Sequence, residues 1–461
     1  MKYLDAGMLS LQKCHLSKFQ FSILSLKKRV FIAMLRNKII TVFIFFAGLF
    51  FLSCNTTEPE NKPVDFEFTA EDVSCTEAWL TLKVNDIAGA KVYRGDSLLF
   101  NLTQQSIDTT LYDEGLLPNH VYKYHTTIQP YNHSNVITKE LTIQTMDTTT
   151  HNFTWQTFTF GEAGSSTFYD VAIINENNIW AVGEIYMNDS FGNPDPISYN
   201  ALHWNGQSWE LKKIKTNACG GVDYPPIKAI FAFSSNDILF AHIDGSLSHF
   251  NGIKFTNDCS LITQLNGSAN KIWGISKNDF YVVSGNGFVA HYQNGSWRKI
   301  ESGTTTSIKN VWGVHYNDLN SFILCAVTNV ASAGDRKILR INNNNVINFL
   351  WDTGRRVQSI WFKNSSIIYT CGGGVFVLRM NNHWEEIIEI PLYYTEEIRG
   401  NDINDIMVVG DFGLLVHFNG ISWKIFNNPA VDIYYSCAVT ENLAAAVGTK
   451  GSQAIIAIAN K

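Results

Sequence analysis

The chain is poor in charged residues and in cysteine motifs. Only 16% of its 461 residues are charged, whereas 45% are hydrophobic and 13% are aromatic. This composition excludes an intrinsically disordered chain, because such chains are rich in charge and poor in aromatics. No Cys-x-x-Cys pair occurs, so the zinc-ribbon and thioredoxin-type motifs are absent.

Basic residues are scarce beyond the first 53 positions. The whole chain has 35 basic and 41 acidic residues, and positions 1–53 hold eight of the basic residues and one acid. The remainder has 27 basic against 40 acidic residues, a net charge of −13. A nucleic-acid-binding protein needs a basic surface to displace counterions, so this balance argues against that class.

The signatures of common enzyme sites are also missing. The sequence contains no glycine-rich phosphate loop, no His-Glu-x-x-His zinc motif and no Gly-x-Ser-x-Gly nucleophile motif. We therefore expect neither a cofactor nor a resident metal ion. The sequence favours a non-enzymatic role.

Residues 1–54 have the features of a targeting segment. The basic stretch Met34–Lys38 precedes Ile39–Leu52, fourteen residues without a charge. This run is shorter than the ~20 residues that span a bilayer as a helix, which is typical of a secretory signal. Residues 1–33 fit no signal pattern, so we expect the true start at Met34. An uncleaved membrane anchor is the alternative.

Ser53-Cys54 resembles the lipobox of bacterial lipoprotein signals, although Phe51 stands where that family prefers leucine. The resemblance implies that Cys54 is lipidated and becomes the mature N-terminus. It places the protein in the bacterial cell envelope, on the outer membrane or a periplasm-facing membrane. Residues 55–63 are polar with two prolines, which predicts a tether between the lipid and the first folded domain.

Six cysteines remain outside the targeting segment. Cys219 and Cys259 lie in polar connections and could be bridged in an oxidising compartment. Cys325, Cys371 and Cys437 lie in apolar, strand-like runs, which favours buried small hydrophobic side chains.

Residues 64–147 contain short runs in which apolar and polar residues alternate, such as Trp79–Val84 and Tyr122–Ile128. This period of two predicts antiparallel strands with one buried face, and a spacing of about ten residues predicts a β-sandwich. The segment Leu116–Tyr122, Leu-Leu-Pro-Asn-His-Val-Tyr, resembles the tyrosine corner of fibronectin type III domains. The resemblance implies a fibronectin type III-like module that acts as a spacer.

Residues 151–461 carry an internal repeat of roughly 40 residues. Each copy begins with an apolar strand that ends in Asn-Asp, and later strands are joined by Asn-Gly, the strongest two-residue hairpin signal. The Asn-Asp pairs are Asn236-Asp237, Asn278-Asp279, Asn317-Asp318 and Asn404-Asp405. The Asn-Gly pairs are Asn205-Gly206, Asn251-Gly252, Asn294-Gly295 and Asn419-Gly420.

Four strands in each repeat predict one blade of a β-propeller. The first strands are expected to begin near residues 168, 228, 270, 308, 357, 395 and 432, which makes seven blades. The last copy, Ile433–Asn460, lacks a fourth strand, and Asn152–Phe158 resembles an orphan one; pairing them would close the ring. The repeats resemble the Trp-Gly-x-Ser-x-Asn-Asp propellers of secreted bacterial lipoproteins. The expected fold is all-β, with a seven-bladed β-propeller (151–461) preceded by a small β-sandwich (64–147).

Histidine, Asn-Asp and tryptophan each recur at one position of the repeat. The histidines could form a metal-binding ring, but they fall in the third strands of separate blades, so we interpret them as packing residues. We interpret the Asn-Asp pairs as hairpin turns, not as catalytic carboxylates, and the tryptophans as core between blades. The positions are His203, His249, His291 and His417, and Trp209, Trp297, Trp384 and Trp423.

The connections on one face of the predicted propeller are long. The longest, Glu184–Asn200, contains the oxygen-rich segment Asn188–Asp195, which could hold calcium but matches no EF-hand spacing. Long loops on a rigid scaffold often bind ligands, and tyrosine and arginine are common hot-spot residues. The alternative is a merely tolerated insertion in the first blade. The ligand-binding candidates are Tyr186, Phe191, Tyr199, Tyr224, Arg355, Arg356, Tyr393 and Tyr394.

The sequence thus predicts an exported, lipid-anchored monomer that binds a protein or a glycan through its long-loop face. One alternative is a carbohydrate-active enzyme, a glycoside hydrolase or glycosyl transferase, with its site at the channel mouth. Another is a periplasmic assembly scaffold. Clustered carboxylates at the channel mouth would favour the enzyme, and an aromatic-rich, acid-poor face would favour binding.

Overall fold

The computed structural model describes residues 65–131, 135–216, 219–265, 268–315, 322–328, 333–342, 345–380, 382–426 and 430–461. The expected start at Met34, the lipidation site Cys54 and the tether 55–63 lie outside these residues. Within the described ranges, no helix is long and apolar enough to cross a membrane. The helical elements described are one turn of α-helix, Ile262–Leu265, and one 3₁₀ turn, Ala333–Asp335.

The first seven strands form two facing antiparallel sheets. They are β1 (Phe66–Val73), β2 (Glu77–Val84), β3 (Ile87–Arg94), β4 (Ser97–Leu102), β5 (Ile107–Glu114), β6 (Val121–Pro130) and β7 (Ile137–Gln144). One sheet has the order β1-β2-β5 and the other β4-β3-β6-β7. Leu82 and Tyr124, from opposite sheets, share one buried core, so these strands form a two-layered sandwich. At its corner, the Tyr122 hydroxyl accepts a hydrogen bond from the Leu117 backbone N–H at 2.8 Å.

Seven four-stranded antiparallel sheets follow. Sheet 1 contains β9 (Thr167–Asn175), β10 (Asn178–Ile185), β11 (Tyr199–Trp204) and β12 (Trp209–Lys212). Sheet 2 contains β13 (Ile227–Ser234), β14 (Asp237–His242), β15 (Leu247–Phe250) and β16 (Phe255–Asp258). Sheet 3 contains β17 (Ala269–Ser276), β18 (Asp279–Ser284), β19 (Phe288–Gln293) and β20 (Ser296–Glu301). Sheet 4 contains β21 (Ile308–Val314), β22 (Phe322–Val327), β23 (Lys337–Asn342) and β24 (Asn345–Phe349).

Sheets 5 to 7 complete the series. Sheet 5 contains β25 (Val357–Phe362), β26 (Ile368–Gly372), β27 (Gly374–Leu378) and β28 (Trp384–Glu386). Sheet 6 contains β29 (Thr395–Asp402), β30 (Asp405–Gly410), β31 (Leu415–Phe418) and β32 (Trp423–Ile425). Sheet 7 contains β33 (Ile433–Val439), β34 (Leu443–Lys450) and β35 (Gln453–Asn460), and its outer strand is β8 (Thr154–Phe160). The pairing of β8 with β35 is antiparallel and joins the two ends of this region.

The first strands of the seven sheets contact one another in cyclic order, from β9 through β13, β17, β21, β25 and β29 to β33, which contacts β9 again. Apolar cores fill the spaces between neighbouring sheets. Between sheets 1 and 2, for example, Trp180 and Val182 pack against Ile230 and Phe240. Each such buried side chain contributes roughly 1.5–3 kcal/mol, so the sheets hold together face to face along the whole cycle.

The recurring histidines each contact a residue of their own sheet. His249 Nε2 lies 2.6 Å from the Asp237 carboxylate, and His291 Nε2 lies 2.7 Å from that of Asp279. His417 makes the same contact with Asp405 at 2.9 Å, and His203 contacts Asn178. These contacts tie the third strand of a sheet to the start of the second. The sequence pattern predicts only turns at the Asn-Asp pairs, whereas these aspartates also contact the recurring histidines.

In each antiparallel sheet the first strand ends and the second begins on one face, which we call the tight-turn face. The first strands begin on the opposite face, which we call the long-loop face. The sandwich contacts the tight-turn face at sheets 5 and 6. Arg379 donates to Glu77 at 2.7 Å, and Asn404 donates to the Asp147 carbonyl at 2.8 Å. Trp79 is fully buried in one cluster with Tyr369 and Ile403, so the sandwich is packed onto this face.

Candidate functional site

The first strands of all seven sheets line one small cavity on the long-loop face, which we call the channel mouth. It has a volume of about 180 Å³. Each first strand contributes the residue at one of two adjacent repeat positions, or at both. The residue types at these two positions differ from sheet to sheet. The lining residues are Tyr169, Asp170, Lys228, Asn270, Lys271, Lys309, Asn310, Gln358, Glu396, Glu397 and Tyr435.

The deeper of these two positions holds a buried charge network. Lys271 Nζ lies 2.8 Å from Asp170 and 2.6 Å from Glu397, which also pairs with Arg399 at 2.5 Å. The Ser436 hydroxyl contacts both carboxylates. Burial acts to raise the pKa of Glu397, but Arg399 and Lys271 outweigh it and hold that pKa below its ordinary value. Two acids and two bases are thus paired across sheets 1, 3 and 6.

The outer position carries side chains that face the cavity more openly. Lys228 Nζ lies 3.2 Å from the centre of the Tyr169 ring, a cation–π contact, and burial lowers the pKa of this lysine. Glu396 accepts a hydrogen bond from Gln358 Nε2 at 2.8 Å. Burial, and then the nearby Asp411 carboxylate, raise the pKa of Glu396 to about 7. The mouth therefore offers lysines from sheets 2 and 4 and a titrating carboxyl from sheet 6.

Glu396→Gln should make the stability of the protein less dependent on pH. A carboxyl whose pKa is higher in the folded state, here about 7 against an ordinary 4.5, costs stability as pH rises through that interval. At ~1.4 kcal/mol per pKa unit the shift sets an upper limit of about 3 kcal/mol, and solvent screening reduces the expected effect to about 1–2 kcal/mol.

We expect the Glu396→Gln protein to melt at a higher temperature than the parent at pH 8 and at nearly the same temperature at pH 4. Calorimetry at both values checks this. The control is Glu140→Gln, which changes an exposed glutamate of the sandwich. Equal melting-temperature differences at the two pH values would contradict the prediction.

The structure places the eight predicted ligand-binding residues on the long-loop face in two separate groups. One group belongs to sheet 1 and the connection that leaves it, and consists of Tyr186, Phe191, Tyr199 and Tyr224. The other precedes sheets 5 and 6, and consists of Arg355, Arg356, Tyr393 and Tyr394. Sheet 1 is not a neighbour of sheet 5 or sheet 6 in the cycle. The groups therefore flank the channel mouth from different sides and do not form one patch.

In the first group, most side chains are held by neighbouring residues. The Tyr186 hydroxyl donates to Glu184, and Lys213 Nζ lies 4.5 Å from the centre of the Tyr199 ring. Phe191 stands apart, with 88% of its surface exposed at the tip of the loop. Asp189 accepts hydrogen bonds from the backbone N–H groups of Phe191 and Asn193. The oxygen-rich segment therefore forms a turn that is stabilised by the side chain of its own Asp189.

The second group is connected to the channel mouth through hydrogen bonds. The Arg356 guanidinium lies 5.7 Å from the centre of the Tyr394 ring, and the Tyr394 hydroxyl donates to Gln358 Oε1 at 3.0 Å. Gln358 in turn donates to Glu396. A ligand that touches Arg356 or Tyr394 would therefore also reach the groups that position Glu396.

A disulfide ties two connections of the long-loop face. Cys219 and Cys259 are bonded with their Sγ atoms 2.06 Å apart, and they lie in the connections that follow sheets 1 and 2. This bond restrains the loop that carries Tyr224. The described free cysteines, including Cys75, Cys325, Cys371 and Cys437, are buried.

Sequence reasoning missed the channel-mouth residues. A signal was present, because Lys271 and Glu396-Glu397 are charged residues directly before the buried Ile272 and Ile398 of their strands. What the sequence did not provide was their convergence, since their partners lie up to 266 residues away. In the described part of the chain, no group of three or more His, Cys, Asp or Glu side chains could hold a metal ion.

No protein-family model matches the chain, and no curated protein sequence matches it. Solved structures do. A structure of YCF48 bound to a D1 peptide matches with a TM-score of 0.50 and 12% identity, covering 67% of this chain and 97% of that one. YCF48 from Cyanidioschyzon merolae matches with a TM-score of 0.47 and 14% identity, covering 66% and 98%.

The WD40 β-propeller domain of Doa1 matches with a TM-score of 0.51 and 14% identity, covering 67% of this chain and 97% of that one. At such identities the likeness concerns the fold alone. Together with the seven antiparallel four-stranded sheets, it confirms the coarse prediction from the repeats. The chain has an all-β, β-propeller-like fold.

Proposed function

We propose that this protein binds a protein partner through the long-loop face of a seven-bladed β-propeller. The observation that carries the proposal is the asymmetry of the two faces. The tight-turn face is occupied in part by the sandwich, whereas the channel mouth, the long connections and both groups of candidate residues share the other face. A further support is that one structural neighbour, YCF48, was solved with a bound peptide.

We further propose that the sandwich is a fibronectin type III-like spacer and that the chain is lipid-anchored at Cys54 in a bacterial envelope. The tyrosine-corner hydrogen bond between Tyr122 and Leu117 supports the first point. The uncharged run that ends in Ser53-Cys54 supports the second. Mass spectrometry of the mature N-terminus would test the anchor. A mature chain that begins before Cys54 and carries no lipid on this cysteine would rule the anchor out.

The carbohydrate-active enzyme is the weaker alternative. Acids do converge at the channel mouth, which would favour it. Glycosidases, however, commonly use two carboxyl groups that flank the bond to be cleaved. Asp170 and Glu397 are engaged by Lys271 and Arg399, which leaves Glu396 as the carboxyl that lines the mouth outside an ion pair in the described structure. Binding does not require two free carboxyl groups. A glycan is the second class of ligand to be tested.

A binding screen on the full chain tests the proposal. The chain would be screened in mild detergent against envelope proteins and a glycan array. A loop-face variant would change Tyr186, Tyr199, Arg355 and Arg356 to alanine. Because such residues are typical hot spots, we expect at least a tenfold loss of affinity, which corresponds to about 1.4 kcal/mol.

The matched control changes Ile253 and Ile421 to alanine, two exposed residues on the tight-turn face. We expect this control to bind like the parent. A ligand retained by the loop-face variant and lost by the control would contradict the face assignment. A ligand found only on the glycan array would replace the protein partner by a carbohydrate.

A further inference from the structure

Phe412 is an exposed aromatic residue held in a backbone conformation that disfavours it. It lies in the turn between β30 and β31, with φ of 58° and 68% of its surface exposed. Positive φ is uncommon outside glycine, and a bulky residue there is a genuine outlier. Strain of this kind costs free energy and concentrates at functional sites.

The turn does not depend on the phenyl ring. Its anchors are backbone hydrogen bonds, from Asp411 N–H to the Tyr394 carbonyl at 2.9 Å and from Phe412 N–H to the Asp432 carbonyl at 2.7 Å. Glycine would make the same bonds without strain. The ring therefore adds little to the fold, and its purpose has to be sought in what it presents to solvent.

Other exposed apolar residues accompany Phe412. The Tyr393 ring meets it edge-on at 5.2 Å and is 41% exposed. Leu392, which directly precedes Tyr393, is 61% exposed. We call Leu392, Tyr393 and Phe412 the apolar knob. Clustered exposure of this kind marks interaction sites, whereas single exposed residues are normal.

Two carboxylates and one cation lie beside the knob, namely Asp411, Glu396 and Arg356, whose guanidinium is 5.7 Å from the centre of the Tyr394 ring. Asp411 directly precedes Phe412, and its carboxylate lies close enough to Glu396 to disfavour ionisation of that group. Lys309 and Glu397 also act on Glu396, and Gln358 donates to it. Neither Glu396 nor Asp411 forms an ion pair in the described part of the chain. A cationic side chain brought by a partner would neutralise this repulsion.

We propose that the apolar knob is the hot spot of the binding face and inserts between apolar side chains of a protein segment that places a lysine or arginine beside Asp411 and Glu396. This inference rests on the proposed function and names its partner class. An exposed leucine beside an edge-on aromatic pair suits an apolar protein surface.

The test uses a random dodecapeptide library displayed on phage and selected on the full chain. Enriched peptides would be synthesised and their affinities measured by fluorescence anisotropy. We expect enrichment of apolar or aromatic residues next to lysine or arginine. We expect Phe412→Gly to weaken these peptides at least tenfold without lowering the melting temperature, because the substitution relieves positive φ.

Phe412→Asn serves as a second variant, since asparagine also tolerates positive φ. The matched control is Ile253→Gly, which removes an even more exposed apolar side chain from the tight-turn face and should leave affinity unchanged. Enrichment of acidic peptides, no enrichment at all, or full binding to both Phe412 variants would overturn the inference. Peptides that keep binding to the Phe412 variants but lose affinity for the Tyr186, Tyr199, Arg355 and Arg356 variant would overturn it while the proposed function stands.

Discussion

Lys271→Met should lower the free energy of unfolding by about 3–5 kcal/mol, the usual cost of removing one partner from a buried ion pair. The substitution keeps the length of the side chain and removes its charge. It leaves Asp170 and Glu397 buried at the centre of the ring with Arg399 as the remaining cation of the network. We expect most of this loss of stability to come from a buried carboxylate that has lost its cationic partner, and little of it from lost packing.

Calorimetry or urea unfolding would measure the effect. Lys277→Met is the matched control, because Lys277 is exposed on the tight-turn face and its loss should change stability by less than ~0.5 kcal/mol. Lys271→Met combined with Glu397→Gln removes one charge of each sign and should recover part of the loss. If the double variant were as unstable as the sum of its single variants, the two side chains would not be coupled.

Trp79→Ala should destabilise the protein by about 3–5 kcal/mol, as is typical when a buried tryptophan is truncated in a core. Trp79 belongs to β2 of the sandwich but is buried among residues of sheets 5 and 6, including Trp361 and Tyr369. Its loss therefore removes contacts between the two regions and few within the sandwich. We expect the sandwich to unfold separately from the rest of the chain.

Differential scanning calorimetry would show this separation as a second transition. Hydrogen exchange at Asn404, whose side chain donates to the Asp147 carbonyl, would report opening of the contact itself. Leu98→Ala is the control, because Leu98 is half exposed on an outer strand of the sandwich. A Trp79→Ala protein that still unfolds in one transition would mean that the polar contacts, such as Arg379 with Glu77, suffice to couple the regions.

This coupling bears on function. A sandwich packed onto the tight-turn face cannot cover the long-loop face, so the channel mouth and the apolar knob remain open to a partner. If the anchor at Cys54 is correct, the sandwich would also link the membrane to a defined part of the propeller. The Trp79→Ala protein would then still bind its partner in solution. The orientation of its binding face relative to the membrane would become less defined.

Local patterns were the part of the fold that could be predicted well. The expected first strands begin near 168, 228 and 270, and the structure starts them at Thr167, Ile227 and Ala269. Alternating hydrophobicity and Asn-Gly turns are encoded within a few neighbouring residues, which explains this agreement. In the sandwich, the runs named from the sequence, Trp79–Val84 and Tyr122–Ile128, lie in β2 and β6. The edge strand β4 is harder to recognise, because none of its residues is fully buried and Ser97–Leu102 shows no clear alternation.

The candidate site was predicted only in part. The eight tyrosine, phenylalanine and arginine candidates do lie on long-loop connections, but they form two groups on different sides of the channel mouth. The residues that line the mouth went unpredicted, although Glu396 and Glu397 follow the Tyr393-Tyr394 candidates after a single threonine. Phe412 was overlooked because its turn resembles any other short connection, and φ cannot be read from residue type.

By itself the sequence determined the strand periods, the repeat and therefore the all-β, propeller-like class, because each depends on hydrogen bonding and burial within about 40 residues. The tertiary structure alone decided what the repeat positions do together. Ring closure brings Asp170, Lys271 and Glu397 into one network, and the sandwich occupies one face and leaves the other open. The physical reason is that electrostatic pairing and exposure depend on distance in space, and a cyclic fold makes neighbours of residues that are far apart along the chain.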